Sequence, residues 1–226
     1  MYLQTHMRRF FFVSLLLTSL WLPSLTSAQA SWRDSLEVLQ RELRLHPNDV
    51  QLRLRKAAVN IELGQWDYAI EEYGRVLDSQ RTNPASPTRL TALFFRAFAY
   101  VQLRQLPLAA ADYETILQYR PSHFEARLGL AEVRRVQGQR DKTLDQMNLL
   151  VQQHPDSATA WAMRAQYEEE IAAEELKGNT KKKKKEAEAW MEAAEYDWQE
   201  AVRLAPRRHD FAAALNRLLN KRNRAD

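Results

Sequence analysis

The sequence runs to 226 residues with 45% hydrophobic and 27% charged side chains, enough apolar matter for one continuous core and too much for a disordered chain. It has no cysteine, which excludes a disulfide framework, a thiolate metal site, a cysteine nucleophile and a lipidated cysteine. Lysine plus arginine stand at 33 against 29 acids, a balance that argues against a general nucleic-acid binder, whose affinity rests on a concentrated basic face.

Residues 1–30 have the layout of a secretory signal. Arg8 and Arg9 give a positive start, Phe10 to Leu22 is nearly all apolar, and small residues follow. The apolar run falls short of the roughly 20 residues a spanning helix needs, and Pro23 interrupts it. The segment is therefore read as cleaved, after Ala28 or after Ala30, with an uncleaved anchor as the alternative. Cleavage removes two arginines and no acid, so the mature chain carries a net charge of +2, with no integral membrane span. The expectation is an exported protein, periplasmic in a cell with two membranes; secretion or retention by the signal stays open.

Beyond the signal, only 5 Gly and 8 Pro punctuate long stretches rich in Ala, Leu, Glu, Gln and Arg, which predicts an all-α fold. Ser35, Leu39 and Pro47 fit a lone helix over 31–47. A period follows. Ala97, Ala131 and Ala165 recur every 34 residues, while Ala57 precedes Ala97 by 40, the excess being Pro84 to Arg89, which reads as a loop insertion. Twelve residues after each of the first three alanines comes a small or short residue (Ala69, Ala109, Thr143), and four further on a large one (Tyr73, Tyr113, Met147). Pro47, Pro121 and Pro155 share one phase, and Pro206 returns to it after an extra half-unit.

These residues resemble the tetratricopeptide repeat, in which two antiparallel helices per 34 residues meet through small side chains and close on a proline. The units fall at 50–83, 90–123, 124–157 and an expanded 158–208, with a capping helix at 209–222. In the first, Ala57, Leu63-Gly64, Trp66, Ala69 and Tyr73 match, with Arg81 for the closing proline; the second places Arg104 where the family has glycine, and the third places Arg127 where it has tryptophan. The fourth departs after Trp161 and Ala165 and resumes at Ala194, Trp198, Ala201 and Pro206. A long hairpin is expected there, with helices from Ala158 to about Lys177 and from about Lys183 to Ala205, and with Glu174 and Glu175 opposite the run Lys181, Lys182, Lys183, Lys184 and Lys185.

No phosphate loop, zinc-protease helix or nucleophile elbow is present, so neither enzyme activity nor a cofactor is expected. His46, His123 and His154 stand beside unit-closing prolines, a regularity that points to helix-end roles and away from metal binding. The resemblance implies instead that first helices line a concave groove for a protein or peptide partner. Candidate contacts are Leu54, Arg55 and Ala58, then Phe94, Phe95 and Phe98, then Leu128, Glu132 and Arg135. The three phenylalanines share a helix face distinct from that of Ala97 and are either open anchors or rings packed within the array. Leu54, Ala58 and Phe95 stand where family members that grip a terminal carboxylate carry Lys and Asn, which argues against that partner class. An alternative function is a spacer that contacts an anionic envelope surface, lipid or polysaccharide, through Lys181 to Lys185 and the basic C-terminus with Lys221, Arg222 and Arg224.

Overall fold

The computed structural model describes residues 23–178 and 180–223, with side chains from residue 29 onward. The apolar run Phe10 to Leu22 and Arg224 lie outside the described residues. Among those described there are ten helices and no strand: α1 (Pro23–Leu45), α2 (Val50–Glu62), α3 (Trp66–Ser79), α4 (Pro87–Gln102), α5 (Leu106–Tyr119), α6 (Phe124–Val136), α7 (Arg140–Gln153), α8 (Ala158–Leu176), α9 (Lys181–Leu204) and α10 (His209–Arg222). Helices α2 to α9 pair into four hairpins, and each helix packs chiefly on its neighbours in sequence. This is the quasi-one-dimensional solenoid expected from a 34-residue period.

One turn chemistry recurs between paired helices. Gly64, Arg104 and Gly138 all take the left-handed conformation, at φ 68°, 59° and 70°. Each donates its N–H to a carbonyl three residues back, and the next residue donates to one five back: Gly64 to Ile61 and Gln65 to Asn60, Arg104 to Val101 and Gln105 to Tyr100, Gly138 to Arg135 and Gln139 to Arg134, at 2.8–3.0 Å. The motif satisfies the last free carbonyls of the first helix.

Within each hairpin the helices meet through side chains too small to hold them apart. Ala57, Ala97, Ala131 and Ala165 have no exposed surface, and neither have Ala69, Ala109, Thr143 and Ala194 across from them. Thr143 fits because its hydroxyl donates to the Gln139 carbonyl at 3.0 Å. Between hairpins the space is filled by Tyr73, Tyr113, Met147 and Trp198, all buried. Gly129 makes that possible at one interface: a Cβ there would lie 2.5 Å from the Tyr113 ring, so any side chain would displace it.

The ends are closed. Leu39 of α1 packs with Leu52 and Val59, flanked by Trp32, Leu36 and Leu43, while Phe211, Ala214 and Leu218 of α10 cover Ala194, Trp198 and Ala201. Helix α1 is described from Pro23, earlier than the lone helix expected from residue 31, and the described side chains through which it packs, Trp32, Leu36, Leu39 and Leu43, lie beyond both candidate cleavage points.

Two further boundaries differ from expectation. The residues read as a loop insertion are only partly loop: Ser86 accepts the Arg89 N–H at 3.1 Å as N-cap and Pro87 opens α4. Serine followed by proline is a helix start, since proline lacks the N–H that the first turn leaves unbonded. Similarly, α9 starts at Lys181 and not near Lys183, because the Thr180 hydroxyl accepts the Lys183 N–H at 3.2 Å. The lysine run is thereby helical.

Candidate functional site

Among helices not consecutive in sequence, the most extensive contact is between α4 and α6, the first helices of the second and third units. The first helices of these two units therefore lie side by side, and the candidate groove residues all fall on the wall of first helices α2, α4 and α6. Arg55 is exposed on it, Leu54 and Ala58 are partly buried, and Leu128 is buried at 7% exposure with Ala131, Met147 and Leu150. Leu128 is thus used in packing and offers the wall little surface.

Phe94, Phe95 and Phe98 are each half-buried against the core of the first two units. Phe95 stacks on Tyr73 (6.0 Å between ring centres, 14°), Phe98 meets Trp66 edge-on (5.9 Å, 73°), and Phe94 meets Tyr113 edge-on (5.9 Å, 63°) while lying parallel to His123 (6.1 Å, 20°). Each ring is held by an aromatic of a neighbouring element, and such pairs add about 0.5–1.5 kcal/mol beyond area burial. Each ring of the triad thus packs against the core and keeps partial exposure, so the structure has features of both readings, open anchor and internal packing.

Charge frames this wall. Arg135 makes a two-pronged contact with Glu132 (2.7 and 2.8 Å) and reaches Glu170 of the next unit at 3.2 Å. The hydrogen bond to Glu132 leads in holding the Arg135 guanidinium above its ordinary pKa.

The histidines serve helix ends. His123 Nδ1 accepts the Ala126 N–H at 3.3 Å as N-cap of α6, and the same atom lies 3.3 Å from Glu125. The two contacts are alternatives, because Nδ1 accepts only when unprotonated and donates to the carboxylate only when protonated. His154 ends α7 and lies 3.0 Å from the Ser122 carbonyl through Nε2, pinning one unit-closing turn to the previous one. Among the described residues no group of three His, Asp or Glu converges as a metal site.

A ladder of half-buried bases on buried acids escaped the sequence reading. Lys56 reaches Glu72 at 2.7 Å, Arg96 grips Asp112 at 2.7 and 2.8 Å, and Arg164 grips Asp197 at 2.6 and 2.8 Å. Each base directly precedes a packing alanine (Ala57, Ala97, Ala165), and each acid directly precedes an inter-unit aromatic (Tyr73, Tyr113, Trp198). That adjacency was the available signal. In the third unit both charges are gone together, as Leu130 and Gln146, and Arg127 fills the gap: it donates to Gln146, Gln153 and the Pro121 carbonyl. Trp161, at the equivalent place one unit on, donates to the Pro155 carbonyl at 2.9 Å. Arg127 thus makes, with a different donor, the hydrogen bond that Trp161 makes one unit on.

Two tetratricopeptide-repeat family models match, over residues 27–87 and 100–167, together more than half the chain. The chain is built of tetratricopeptide repeats. Its array superposes on MamA with a TM-score of 0.61 at 12% identity, covering 85% of this chain and 99% of that one. The repeat protein TTC0263 of Thermus thermophilus gives 0.56 at 18% identity (86% and 93% covered), and YrrB, a repeat protein described as having an unusual peptide-binding site, gives 0.56 at 17% (86% and 88%). At these identities the likeness is one of fold. No curated protein sequence matches.

In the expanded fourth unit the repeat array carries its lysine run at the hairpin tip. All five lysines are exposed; Lys183 lies 3.6 Å from Glu175, which also accepts from Arg140, and Lys182 lies 3.8 Å from Glu186. The basic C-terminus has other employment: Lys221 pairs with Glu169 at 3.3 Å, and Arg222 with Glu192 and Glu195 of α9. These two residues tie α10 to the hairpin and are not a free extension of the lysine tip.

Proposed function

We propose that this protein is an exported, periplasmic scaffold that holds an extended or helical segment of a protein partner along the wall formed by α2, α4 and α6. The observation that carries this is the aromatic triad of α4. Its rings are immobilised by Tyr73, Trp66 and Tyr113 yet only partly buried, so an apolar partner segment would meet anchors that lose little rotamer freedom on binding. Peptide binding by YrrB is consistent with such use of this fold. The ordered Glu132, Arg135 and Glu170 cluster at the rim would add register more than affinity.

A photo-crosslinking residue at Arg55 or at Phe95, in cells, tests the groove, with Tyr68 on α3, exposed at 62%, as control. The expected result is a discrete protein adduct from the first two positions only; equal capture at Tyr68 would remove the groove reading. Export has its own test. The mature protein should begin at Gln29 or at Ser31, and an amino terminus that retains Phe10 to Leu22 refutes cleavage.

A further inference from the structure

The charge at the hairpin tip runs against the electrostatics of the helix that bears it. A helix N-terminus carries about half a positive charge and favours acids in its first turn. Helices α3, α6, α7 and α10 obey, with Asp67, Glu125, Asp141 and Asp210, and the first turns of α1, α2, α4, α5 and α8 have no acid. Helix α9 instead opens with five lysines and no acid. Only Lys183 is drawn back into the protein: its stem crosses Gly178, where a Cβ would lie 2.0 Å from it, and its amine turns to Glu175. Over residues 174–186 there are six lysines, counting exposed Lys177, against three glutamates: Glu175 is engaged by Arg140 and Lys183, Glu186 stands near Lys182, and Glu174 is exposed.

Geometry selects what could use such a run. Successive residues turn by about 100°, so the lysines crown the helix end, while their Cα atoms span only about 6 Å along the axis. A partner lying alongside α9 could meet two or three of them. A flat anionic surface met end-on would hold all of them within one Debye length, about 8 Å at physiological salt. The hairpin is built to make that approach. Helix α8 has 19 residues where α2 and α6 have 13, which carries the tip about 9 Å past the other turns. Leu176 stands beside the crown at 50% exposure. A headgroup boundary accepts an apolar side chain that a hydrated polysaccharide would leave wet. Residues 174–178 and 180–186 carry no aromatic or arginine side chain with which to stack bases, and the Arg140 guanidinium beside them is taken up by Glu175 and the Trp190 ring.

We propose that the tip of the α8–α9 hairpin, through Lys177, Lys181, Lys182, Lys184 and Lys185 with Leu176, docks end-on to an anionic lipid bilayer. This reading is independent of the groove. The test uses the full chain on vesicles of phosphatidylcholine with and without phosphatidylglycerol, read as the ratio of the two partition constants so that any contribution from Phe10 to Leu22 cancels. The variant carries Lys181→Gln, Lys182→Gln, Lys184→Gln and Lys185→Gln; the control carries Arg33→Gln, Arg41→Gln, Lys142→Gln and Arg217→Gln, equal charge removed from exposed sites elsewhere. The expected result is a preference for anionic vesicles that falls about tenfold or more in the tip variant and in raised salt, and much less in the control. Thermal stability of the tip variant should equal or exceed that of the native chain. Equal losses in tip variant and control, loss of retention on an acidic polysaccharide with vesicle binding intact, or a marked fall in the tip variant's melting temperature would each overturn the proposal.

Discussion

Arg104 occupies a turn that the first and third units build with Gly64 and Gly138, and at φ 59° its Cβ crowds the backbone. A non-glycine residue there costs about 1 kcal/mol. Arg104→Gly should therefore raise unfolding free energy by about 0.5–1 kcal/mol, less than the full strain because glycine also frees the unfolded chain; urea denaturation checks it. Glu168 is strained electrostatically. It is buried in α8 with Oε2 lacking a hydrogen-bond partner, and burial first, then the Asp197 carboxylate, push its pKa up to about 8 while Arg164 pulls it down. The folded state thus keeps a proton that the unfolded state releases above about 4.5. Stability from this group is full below that value and declines as pH rises through about 8. Glu168→Gln should gain about 1–2 kcal/mol at pH near 9 and almost nothing near pH 4.5, measured by melting across that range.

At the scale of elements, the ladder decides which helices are coupled. Arg127 serves three neutral acceptors from a buried position, and burial lowers its guanidinium pKa. Arg127→Ala would orphan the Pro121 carbonyl and both glutamine oxygens and should cost about 2–3 kcal/mol. Arg127→Trp should cost less, since an indole N–H at this phase reaches the equivalent carbonyl from Trp161; equal losses would refute that correspondence. In the fourth unit, Asp197→Ala leaves the half-buried Arg164 without its main partner and should cost about 2–3 kcal/mol. The opening should be confined to α8 and α9 by hydrogen exchange.

For the whole molecule, stability is a sum of nearest-neighbour contacts closed by two caps. A chain ending at Pro206 would bare Ala194, Trp198 and Ala201 and release Glu169, Glu192 and Glu195 from Lys221 and Arg222. It should lose protection in the fourth unit first and associate on size-exclusion chromatography, while units one and two keep their helicity.

The period of Ala57, Ala97, Ala131 and Ala165 and the phase of the prolines were enough to determine the repeat, its four units and both caps, because close approach of two helices needs a small residue at one fixed place per turn of the pattern. The extra half-unit between Ala165 and Ala194 also placed the long hairpin. What sequence could not decide was which side of a ring faces outward. Phe94, Phe95 and Phe98 read as core or as anchor, and the positions of Tyr73, Trp66 and Tyr113, contributed by other helices, leave them half-covered. The same holds for charge. Lys221 and Arg222 look free in sequence and are bound in the fold, whereas four of the five tip lysines face outward, because pairing depends on distances between residues far apart in the chain.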